Sequence, residues 1–502
     1  MSDANVTTDR RPWILAALML SMMLAAMDTT IVSTAIPQVV GDLGGFALFT
    51  WVFSIYLLTQ TVTIPIYGKL ADIYGRKPIL IVGSLIFLAG SAASAAAPDM
   101  LALIVFRGIQ GLGAGSIMAI VNTLAGDLYN LRERARIQGF LSSVWGISAI
   151  VGPTLGGAFA EYVSWRWIFL INLPIGVGAI ALLSLYLHES VERERHDIDY
   201  AGSMAVLVAV GTLIFGLLQG GTAWPWLSWP SLVVFAASAI LLAIAVWTQR
   251  RAAEPIMPGW LWRHRALAGV NLSMVGMGFV VMGPNAYLPT YAQSVFGLGA
   301  VTAGLVLASM SISWPTASAL AGRAYLRIGF RDTALIGSVL ITLAGGAFLA
   351  LPYGVPVWAV VIDQVALGAG FGLLSTSTLV GAQTLVNWRE RGVVTGANMF
   401  SRFLGQSFGV AVFGAIFNAT LTARLDAAPA DLAAHLPDNV DAVMTALHGT
   451  HIGGAAASYL RHAIFAATHH LYIGLVIVAV ATLLAVLCIP RGFGATTAAR
   501  SG

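Results

Sequence analysis

Runs of about twenty apolar residues recur along the whole chain, and they restrict its fold more than any other feature of the sequence. A helix of that length crosses about 30 Å of hydrocarbon. Charged residues make up 10% of the 502 residues, whereas they make up about 25% of a soluble globular chain. Most of the surface therefore requires a solvent other than water, and we predict an all-α integral membrane protein.

The apolar runs divide the sequence into fourteen predicted membrane spans. The first run follows Arg10 and Arg11 and is too long for the apolar core of a signal peptide, so we predict that it is retained. An even number of spans places both termini on the same side of the membrane. The predicted spans are 13–36, 49–68, 78–97, 101–126, 137–160, 167–188, 200–219, 230–249, 267–293, 299–321, 333–351, 357–384, 393–419 and 465–489.

The distribution of basic residues predicts the orientation of these spans. If both termini are cytoplasmic, 21 of the 26 lysines and arginines lie inside and three lie outside, while Arg107 and Arg402 fall within spans. Cytoplasmic loops of membrane proteins are enriched in Lys and Arg. We therefore predict a multi-pass protein of a bacterial cytoplasmic (inner) membrane with both termini cytoplasmic. The same bias explains the net charge of +4 without a nucleic-acid partner.

An internal repeat predicts how the spans are grouped. The segment GKLADIYGRKPILIVG at 68–83 matches GRAYLRIGFRDTALIG at 322–337 in its glycines and basic residues, at an offset of 254. Two parallel repeats of six spans, separated by two inserted spans, account for that offset and are typical of secondary transporters. The predicted units are an N-terminal six-helix bundle (1–195), a two-helix insertion (196–260) and a C-terminal six-helix bundle (261–502) with an external loop at about 420–464.

Four motifs, in order along the chain, carry a resemblance to a known family. They are MDTTIVSTAIP at 27–37, GKLADIYGRKPIL at 68–80, LIVFRGIQGLGAGSIM at 103–118 and GISAIVGPTLGG at 146–157. Together they resemble the major facilitator superfamily, in its fourteen-span drug:proton antiporter branch of quaternary-ammonium and multidrug exporters. The resemblance covers nearly the whole chain. It implies a major facilitator fold and transport driven by a proton gradient without a cofactor.

The loop after span 2 is expected to act as a conformational latch between the two bundles. In the family, this loop holds the outward-facing state closed on the cytoplasmic side. By the resemblance, Arg76 pairs with an acid at the inner end of span 4, where Asp127 lies, and Asp72 meets the start of span 13 near Gly396. The alternative is that the basic residues of the loop only set the topology. The residues of the predicted latch are Gly68, Asp72, Gly75, Arg76, Lys77 and Asp127.

The span 5 motif places five small or helix-bending residues along one helix: Gly146, Gly152, Pro153, Gly156 and Gly157. Small residues let helices approach closely, and proline removes a backbone hydrogen bond and bends the helix. The resemblance implies a hinge and seal between the two bundles. Ordinary tight packing would produce the same pattern.

Asp28, Arg107 and Asp363 are expected to share one layer of the membrane. At a rise of about 1.5 Å per residue, Asp28 lies about 12 Å below the outer end of its span, and the other two lie about 10 Å below theirs. Charged groups inside a membrane normally face a cavity and pair with one another. In the family, spans 1, 4, 9 and 12 line the central cavity, so we expect the three groups to meet there and couple transport to protons. For Asp28, the alternative is a structural hydrogen bond with a neighbouring threonine.

Several further residues lie in spans that are expected to border the cavity, although each is also consistent with ordinary packing. Asn285 and Tyr287 are the strongest substrate contacts because MGPNAYLPTYAQ resembles a broken cavity helix. Arg402 in span 13 is expected to make an inner-gate or structural contact. The predicted cavity residues are Asn122, Trp145, Asn271, Met277, Asn285, Tyr287, Gln364, Asn398 and Phe400.

Three functions compete at this stage. The first is a proton-coupled exporter, by antiport and alternating access, of lipophilic and mainly cationic drugs or toxic compounds, with a role in antibiotic resistance. The second is a proton-coupled carrier of a specific metabolite, peptide or siderophore, which the span 5 antiporter motif disfavours. The third is a membrane enzyme. The nine histidines lie in loops or at span ends, and no catalytic triad, metal-ligand spacing or phosphate loop lies within the spans, so we predict no enzyme, metal or cofactor.

The expected partners are the lipid bilayer, a small-molecule substrate and protons, and the expected form is a monomer. The sequence leaves open the identity and charge of the substrate, the proton stoichiometry and the need for a periplasmic adaptor.

Overall fold

The computed structural model describes residues 10–44, 48–189, 200–221, 223–252, 255, 257–429, 432, 436–437 and 454–493. Within these ranges the chain is helical and contains no strand. Numbered in chain order, the helices are α1 (Arg11–Leu43), α2 (Phe49–Tyr74), α3 (Arg76–Ala95), α4 (Met100–Leu128), α5 (Leu131–Tyr162), α6 (Trp167–Leu170), α7 (Asn172–Tyr186), α8 (Tyr200–Gln219), α9 (Trp229–Arg251), α10 (Trp260–Arg263), α11 (Arg265–Val295), α12 (Ala300–Ile328), α13 (Phe330–Leu349), α14 (Val357–Thr384), α15 (Arg391–Asp426) and α16 (Gly454–Leu487).

Twelve helical segments in the described residues are long and apolar enough to cross a membrane. One of them joins α6 and α7, which only Ile171 separates. α2 is not among the twelve, and α8 contributes a shorter apolar segment, Met204–Leu217. The protein is therefore a multi-pass helical membrane protein with twelve to fourteen crossing helices. The count of fourteen stays a prediction.

The helices around the predicted external loop are longer than expected. α15 continues to Asp426 and α16 begins at Gly454, so helix replaces both ends of the loop predicted at 420–464. The additional helical turns at the end of α15 and the start of α16 were not predicted, because polar side chains such as Arg424 and His462 interrupt the apolar runs there. These side chains do not interrupt the helices themselves. Most of the centre of the loop lies outside the described residues.

Two apolar cores account for most of the packing. One is built mainly by α1–α5, α7 and α8, and the other mainly by α11–α16. α2 packs on α4 in the first half, and α12 packs on α14 in the second half, which are corresponding pairs in the sequence repeat. α8 and α9 pack on each other, and α8 also contacts α2. α9 leaves Leu232 and Ile240 exposed, as a lipid-facing helix would.

The two halves meet along α5 with α12 and along α2 with α15. A Cβ atom on Gly68 would lie 2.6 Å from the carbonyl oxygen of Gly392, so only glycine permits this approach of α2 to α15. The hydroxyl of Tyr325 donates to the carbonyl oxygen of Leu131 at 2.6 Å, which joins α12 to the start of α5. These contacts lie where α2, α4 and α12 end and where α3, α5 and α15 begin. We call this the basic end of the bundle.

Candidate functional site

A cavity of about 650 Å³ lies between the two halves. An apolar wall with a small number of polar groups is typical of small-molecule sites. The apolar wall residues include Met22, Leu57, Met118, Leu141, Trp145, Met274, Met282, Leu307, Met310, Trp314, Leu379, Met399, Phe403 and Val410. The uncharged polar ones are Thr29, Thr30, Gln60, Thr61, Asn122, Gln138, Ser142, Asn285, Ser311, Ser375, Thr376, Gln406 and Ser407. Methionine side chains are flexible and polarizable, so this wall can fit ligands of different shapes.

Arg402 is the one charged residue among the described residues that line this cavity, and no acidic side chain lines it. The residue was expected at an inner gate, but it lies in the wall. Its guanidinium group stacks over the ring of Trp314, with 4.9 Å between the guanidinium carbon and the ring centroid. The guanidinium Nε is buried and has no hydrogen-bond partner among the residues that the structure describes.

A buried ion pair between Asp28 and Arg107 lies in the N-terminal half. Arg107 Nη1 donates to Asp28 Oδ2, and both side chains are almost completely excluded from solvent. Arg107 Nε also donates to the carbonyl oxygen of Val52 at 3.1 Å, and the guanidinium lies 4.3 Å from the ring centroid of Tyr56. A buried pair persists only when further hydrogen bonds satisfy both charges, and these contacts supply them on the cationic side.

Amide side chains complete the anionic side of this pair. Gln110 Nε2 donates to Asp28 Oδ1 at 2.8 Å, and Asn172 Nδ2 lies 3.4 Å from the same oxygen. Both amides also donate to Ser91 Oγ. Sequence analysis missed these three residues. Gln110 lies three residues after Arg107, on the same helix face, and that spacing was the available signal.

Asp28 does not face the cavity, contrary to expectation. Its side chain points into the N-terminal bundle and is fully buried, whereas the next two residues, Thr29 and Thr30, line the cavity. Thr30 Oγ1 donates to the Ser148 carbonyl oxygen at 2.9 Å, which connects α1 to α5. The two threonines lie 100° and 200° further around the helix than Asp28, so adjacent positions face different surroundings. Helix α1 therefore lies between the ion pair and the cavity.

Asp363 does not join Asp28 and Arg107, so the expectation that the three groups meet is wrong. It lies within the C-terminal half, where Gln364 Nε2 donates to its Oδ2 at 3.0 Å. Its other oxygen is buried and has no partner among the described residues. Gln364 also contacts the hydroxyl of Tyr472 at 3.5 Å. Similar depth along two spans did not bring the groups together, because each side chain points into the core of its own half.

Three of the nine predicted cavity residues line the cavity: Asn122, Trp145 and Asn285. The structure places the other six elsewhere, because the position of a residue within a cavity-bordering span does not reveal which helix face meets the cavity. Tyr287 packs on Phe417, with 4.7 Å between ring centroids, and Gln364 contacts Asp363. The remaining four are buried residues of the helix packing that do not reach the cavity: Asn271, Met277, Asn398 and Phe400.

The basic end is closed by a network around Asp72 and Arg76. Asp72 accepts hydrogen bonds from the backbone amides of Gly392 at 2.9 Å and Val393 at 2.8 Å, the first turn of α15. An acidic group is favourable at a helix N-terminus. Arg76 Nη2 also donates to Asp72 at 2.6 Å, so this carboxylate accepts hydrogen bonds from both halves of the protein. The expected meeting with the start of span 13 occurs one turn earlier than Gly396.

Asp127 joins the network from the end of α4. Arg76 Nε donates to Asp127 Oδ2 at 3.0 Å, and Arg391 from the other half donates to Asp127 Oδ1. The guanidinium of Arg76 also lies 3.7 Å from the ring centroid of Trp388. Sequence analysis interpreted Arg391 only as a topology determinant, and it overlooked Trp388.

Two members of the predicted latch act within the N-terminal half. Gly75 adopts a φ of 97° between α2 and α3, which favours glycine. Lys77 Nζ donates to the carbonyl oxygens of Ser184 and Leu187 at the end of α7, so it does not bridge the halves. Glu189, which sequence analysis overlooked, accepts from the backbone amides of Arg76 and Lys77 and caps α3.

The span 5 motif contributes to the interface and to the cavity wall. A Cβ atom on Gly146 would lie 2.9 Å from the carbonyl oxygen of Ser311 on α12, so this glycine permits close contact between the halves. Gly146 and Pro153 both line the cavity.

The other glycines of this motif have different surroundings. Gly152 packs directly on the side chain of Thr30, and Gly156 is buried. Gly157 has no atom within 4 Å of where its Cβ would stand, so close packing does not require glycine there.

Comparison with known proteins relates most of the chain to one family. A sequence model described as Major Facilitator Superfamily matches residues 18–410. The chain is 33% identical over 412 residues to the "Multidrug transporter protein MdtP" of Bacillus subtilis (strain 168), covering 82% of this chain and 76% of the relative. It is also 33% identical over 420 residues to "Multidrug resistance protein 3" of the same organism, covering 82% and 81%.

Solved structures share the fold. The human organic anion transporter MFSD10 (TETRAN) superposes with a TM-score of 0.64 at 12% identity, over 96% of this chain and all of that chain. The proton:xylose symporter XylE, bound to 6-bromo-6-deoxy-D-glucose, superposes with a TM-score of 0.59 at 14% identity, over 92% and 95% of the two chains.

Proposed function

Since this chain belongs to the major facilitator superfamily, we propose that it is a proton-coupled antiporter that exports lipophilic drugs or toxic compounds by alternating access. The observation that carries the proposal is the cavity between the halves, one helix layer from a buried, hydrogen-bonded acid–base pair. The names of the relatives, which are multidrug transporters, support a drug efflux transporter.

Alternating access requires a cavity that closes on one side at a time. In this structure the hydrogen bonds of Asp72 and Asp127 join the halves at the basic end. If the basic end is cytoplasmic, as we propose, the conformation is outward-facing. Opening on the cytoplasmic side would then break the bonds between Asp72 and α15 and between Asp127 and Arg391, while the bonds within the N-terminal half persist.

The Asp28–Arg107 pair is suited to couple this movement to protons. Protonation of Asp28 removes the charge that Arg107 faces and weakens a charge-assisted hydrogen bond. Asp28 lies on α1 directly before the cavity threonines, and Thr30 binds the backbone of α5. A change at the pair can therefore move the helices that form both the cavity wall and the interface between halves. Asp363, which has no basic partner among its described neighbours, is proposed as a second protonatable group.

The proton gradient supplies enough energy for export. One charge that crosses 100 mV contributes about 2.3 kcal/mol, and a pH gradient adds to this. No phosphate-binding loop was found in the sequence, so we propose no ATP step.

Two parts of the predicted function receive different support from the cavity. A mostly apolar, methionine-rich wall favours lipophilic compounds of several shapes over a single polar metabolite, peptide or siderophore. The expectation of mainly cationic substrates is not supported, because no carboxylate lines the described cavity.

The remaining expectations also stand as proposals. They are fourteen spans in a 6 + 2 + 6 arrangement, cytoplasmic termini, a bacterial inner membrane and a monomeric form.

Transport by the purified full chain in proteoliposomes tests the proposed function. We expect a lipophilic dye to accumulate against its concentration gradient when a proton gradient is imposed, and to stop accumulating when a protonophore is added. Asp28→Asn should abolish the gradient-dependent part. Arg461→Gln, which removes an exposed arginine of α16 outside the cavity, serves as the control. Dye movement that ignores the gradient in the wild-type protein would refute the proposal.

A further inference from the structure

The charge of the cavity wall is positive. Arg402 is its one charged side chain in the part of the chain that the structure describes, and its neighbours in the wall are neutral. The nearest acid–base pair beside the cavity, Asp28 with Arg107, consists of one negative and one positive group and contributes no net charge. A ligand in this cavity therefore meets the field of one guanidinium group with no opposing carboxylate.

Arg402 presents unused hydrogen-bonding capacity. Its Nε is buried without a partner, and no salt bridge to it is seen in the described residues. The guanidinium carbon lies over the ring of Trp314, a contact that does not use the N–H groups as donors to an oxygen. Gln406 lies one helical turn further along α15 and lines the same wall. Arg402 can therefore donate hydrogen bonds to an acceptor group of a ligand in the cavity.

The backbone under Arg402 is held tightly. A side chain on Gly278 would overlap the carbonyl group of Arg402, and one on Gly405 would overlap the backbone of Val275. These two glycines let α11 and α15 approach closely, so the guanidinium projects from a packed helix pair. A recognition group on rigid elements loses little conformational entropy on binding.

We propose that the cavity binds amphiphilic anions, with Arg402 holding an anionic oxygen group such as a carboxylate, sulfonate or phenolate and the apolar wall holding the body. This substrate class rests on the proposed function as an exporter of lipophilic compounds. A guanidinium group carries several N–H donors that can reach such oxygens, and charge-assisted bonds of this kind are roughly twice as strong as neutral ones.

A lipophilic cation is disfavoured by the same geometry. It would lose hydration on entering the cavity and would meet a like charge with no carboxylate to compensate. Neutral compounds would bind through the apolar wall alone and would be insensitive to Arg402.

A pair of matched dyes tests this assignment. Fluorescein methyl ester, which is a monoanion at mildly alkaline pH, and rhodamine 123, which is a cation, share one xanthene skeleton. Binding to the purified full chain in lipid nanodiscs is followed by fluorescence anisotropy. We expect the wild-type protein to prefer the anion. Arg402→Gln should weaken anion binding about 10- to 100-fold, the effect of one lost charge-assisted bond, and leave cation binding equal or tighter.

Two further variants separate recognition from folding. Arg402→Lys keeps the charge but loses the stacked, two-pronged geometry, so it should retain part of the anion preference. Arg461→Gln, an exposed arginine outside the cavity, should bind both dyes like the wild-type protein. Equal loss of both dyes in Arg402→Gln, preference of the wild-type protein for the cation, or binding of neither dye would overturn the assignment. If the protein binds the anion selectively through Arg402 but transports it without a proton gradient, the assignment of anionic substrates would stand and the proposed proton coupling would be refuted.

Discussion

Gln110 and Gln364 occupy equivalent positions in the two halves, and each donates its side-chain amide to a buried aspartate. Gln110 binds Asp28 at 2.8 Å, and Gln364 binds Asp363 at 3.0 Å. The offset of 254 between the glutamines is the offset of the sequence repeat. The halves differ in the third partner, because Val361 stands where the first half has Arg107. One aspartate is thus paired with a cation, and the other is held by an amide alone.

This difference predicts that the folded protein depends strongly on the cation that pairs with Asp28. Arg107→Met leaves the carboxylate of Asp28 buried without its cation, and breaking a buried pair costs about 3–5 kcal/mol. The double variant Asp28→Asn/Arg107→Met should recover most of that loss in stability while remaining inactive in transport. Thermal unfolding of the purified protein measures the first effect. A double variant as unstable as Arg107→Met would show that the pair is not coupled energetically.

Asp363→Asn should fold normally, because an asparagine side chain can still accept the hydrogen bond from Gln364. If Asp363 carries a proton, the variant should move fewer protons per substrate molecule while continuing to transport. The ratio can be measured from the size of the pH gradient that just balances a known substrate gradient. An unchanged ratio would restrict proton coupling to the N-terminal half.

The network at the basic end should set the balance between the two conformations. Asp72→Asn removes the charge that accepts two backbone amides of α15, and hydrogen bonds to charged groups contribute about 1.5–3 kcal/mol. The halves should therefore separate more often at this end. Distances between spin labels at positions 132 and 323, in a variant lacking Cys488, measure the separation. Asp332→Asn, which alters an exposed ion pair on α13, should leave the distances unchanged.

Two glycine-to-alanine substitutions should differ sharply in their effects on closure of the basic end and on transport. Gly68→Ala places a methyl group 2.6 Å from the carbonyl oxygen of Gly392, so it should prevent closure of the basic end and lower transport by at least about tenfold. Gly157→Ala points into open space and should have little effect. The same pair of spin labels and dye transport provide the readouts. Normal closure in Gly68→Ala would show that the two helices separate more easily than their contact suggests.

The sequence predicted the helical class, the family and the groups that form ion pairs more successfully than it predicted the direction in which individual side chains point. Apolar length predicts a span whatever its neighbours are, and the resemblance of the loop at 68–80 to the family implied the pairing of Arg76 with Asp127, which the structure contains. The helix face on which Asp28 lies depends on how α1 packs against α4 and α7. Those contacts join residues more than 60 positions apart, which a single sequence does not relate.

The cavity wall shows the same limit. Asn285 and Trp145 lie in spans that were expected to border the cavity, and both line it, but the same reasoning selected Asn271 and Met277, which are buried away from the cavity. The sequence identified Arg402 as a charged residue within a span. It did not show that no acidic side chain would lie near Arg402 in the described cavity wall. That absence becomes visible only when the eight described helices that line the cavity are assembled around one space.

Proton flux measured directly in proteoliposomes tests the central claim, that transport exchanges a proton at Asp28 for the substrate. Vesicles containing the full chain and an enclosed pH-sensitive dye, pyranine, receive an outward gradient of fluorescein methyl ester without an imposed pH gradient. The account predicts that outflow of the anion drives protons inward in the wild-type protein and not in Asp28→Asn. Outflow without proton movement in the wild-type protein, or equal proton movement in the variant, would contradict it.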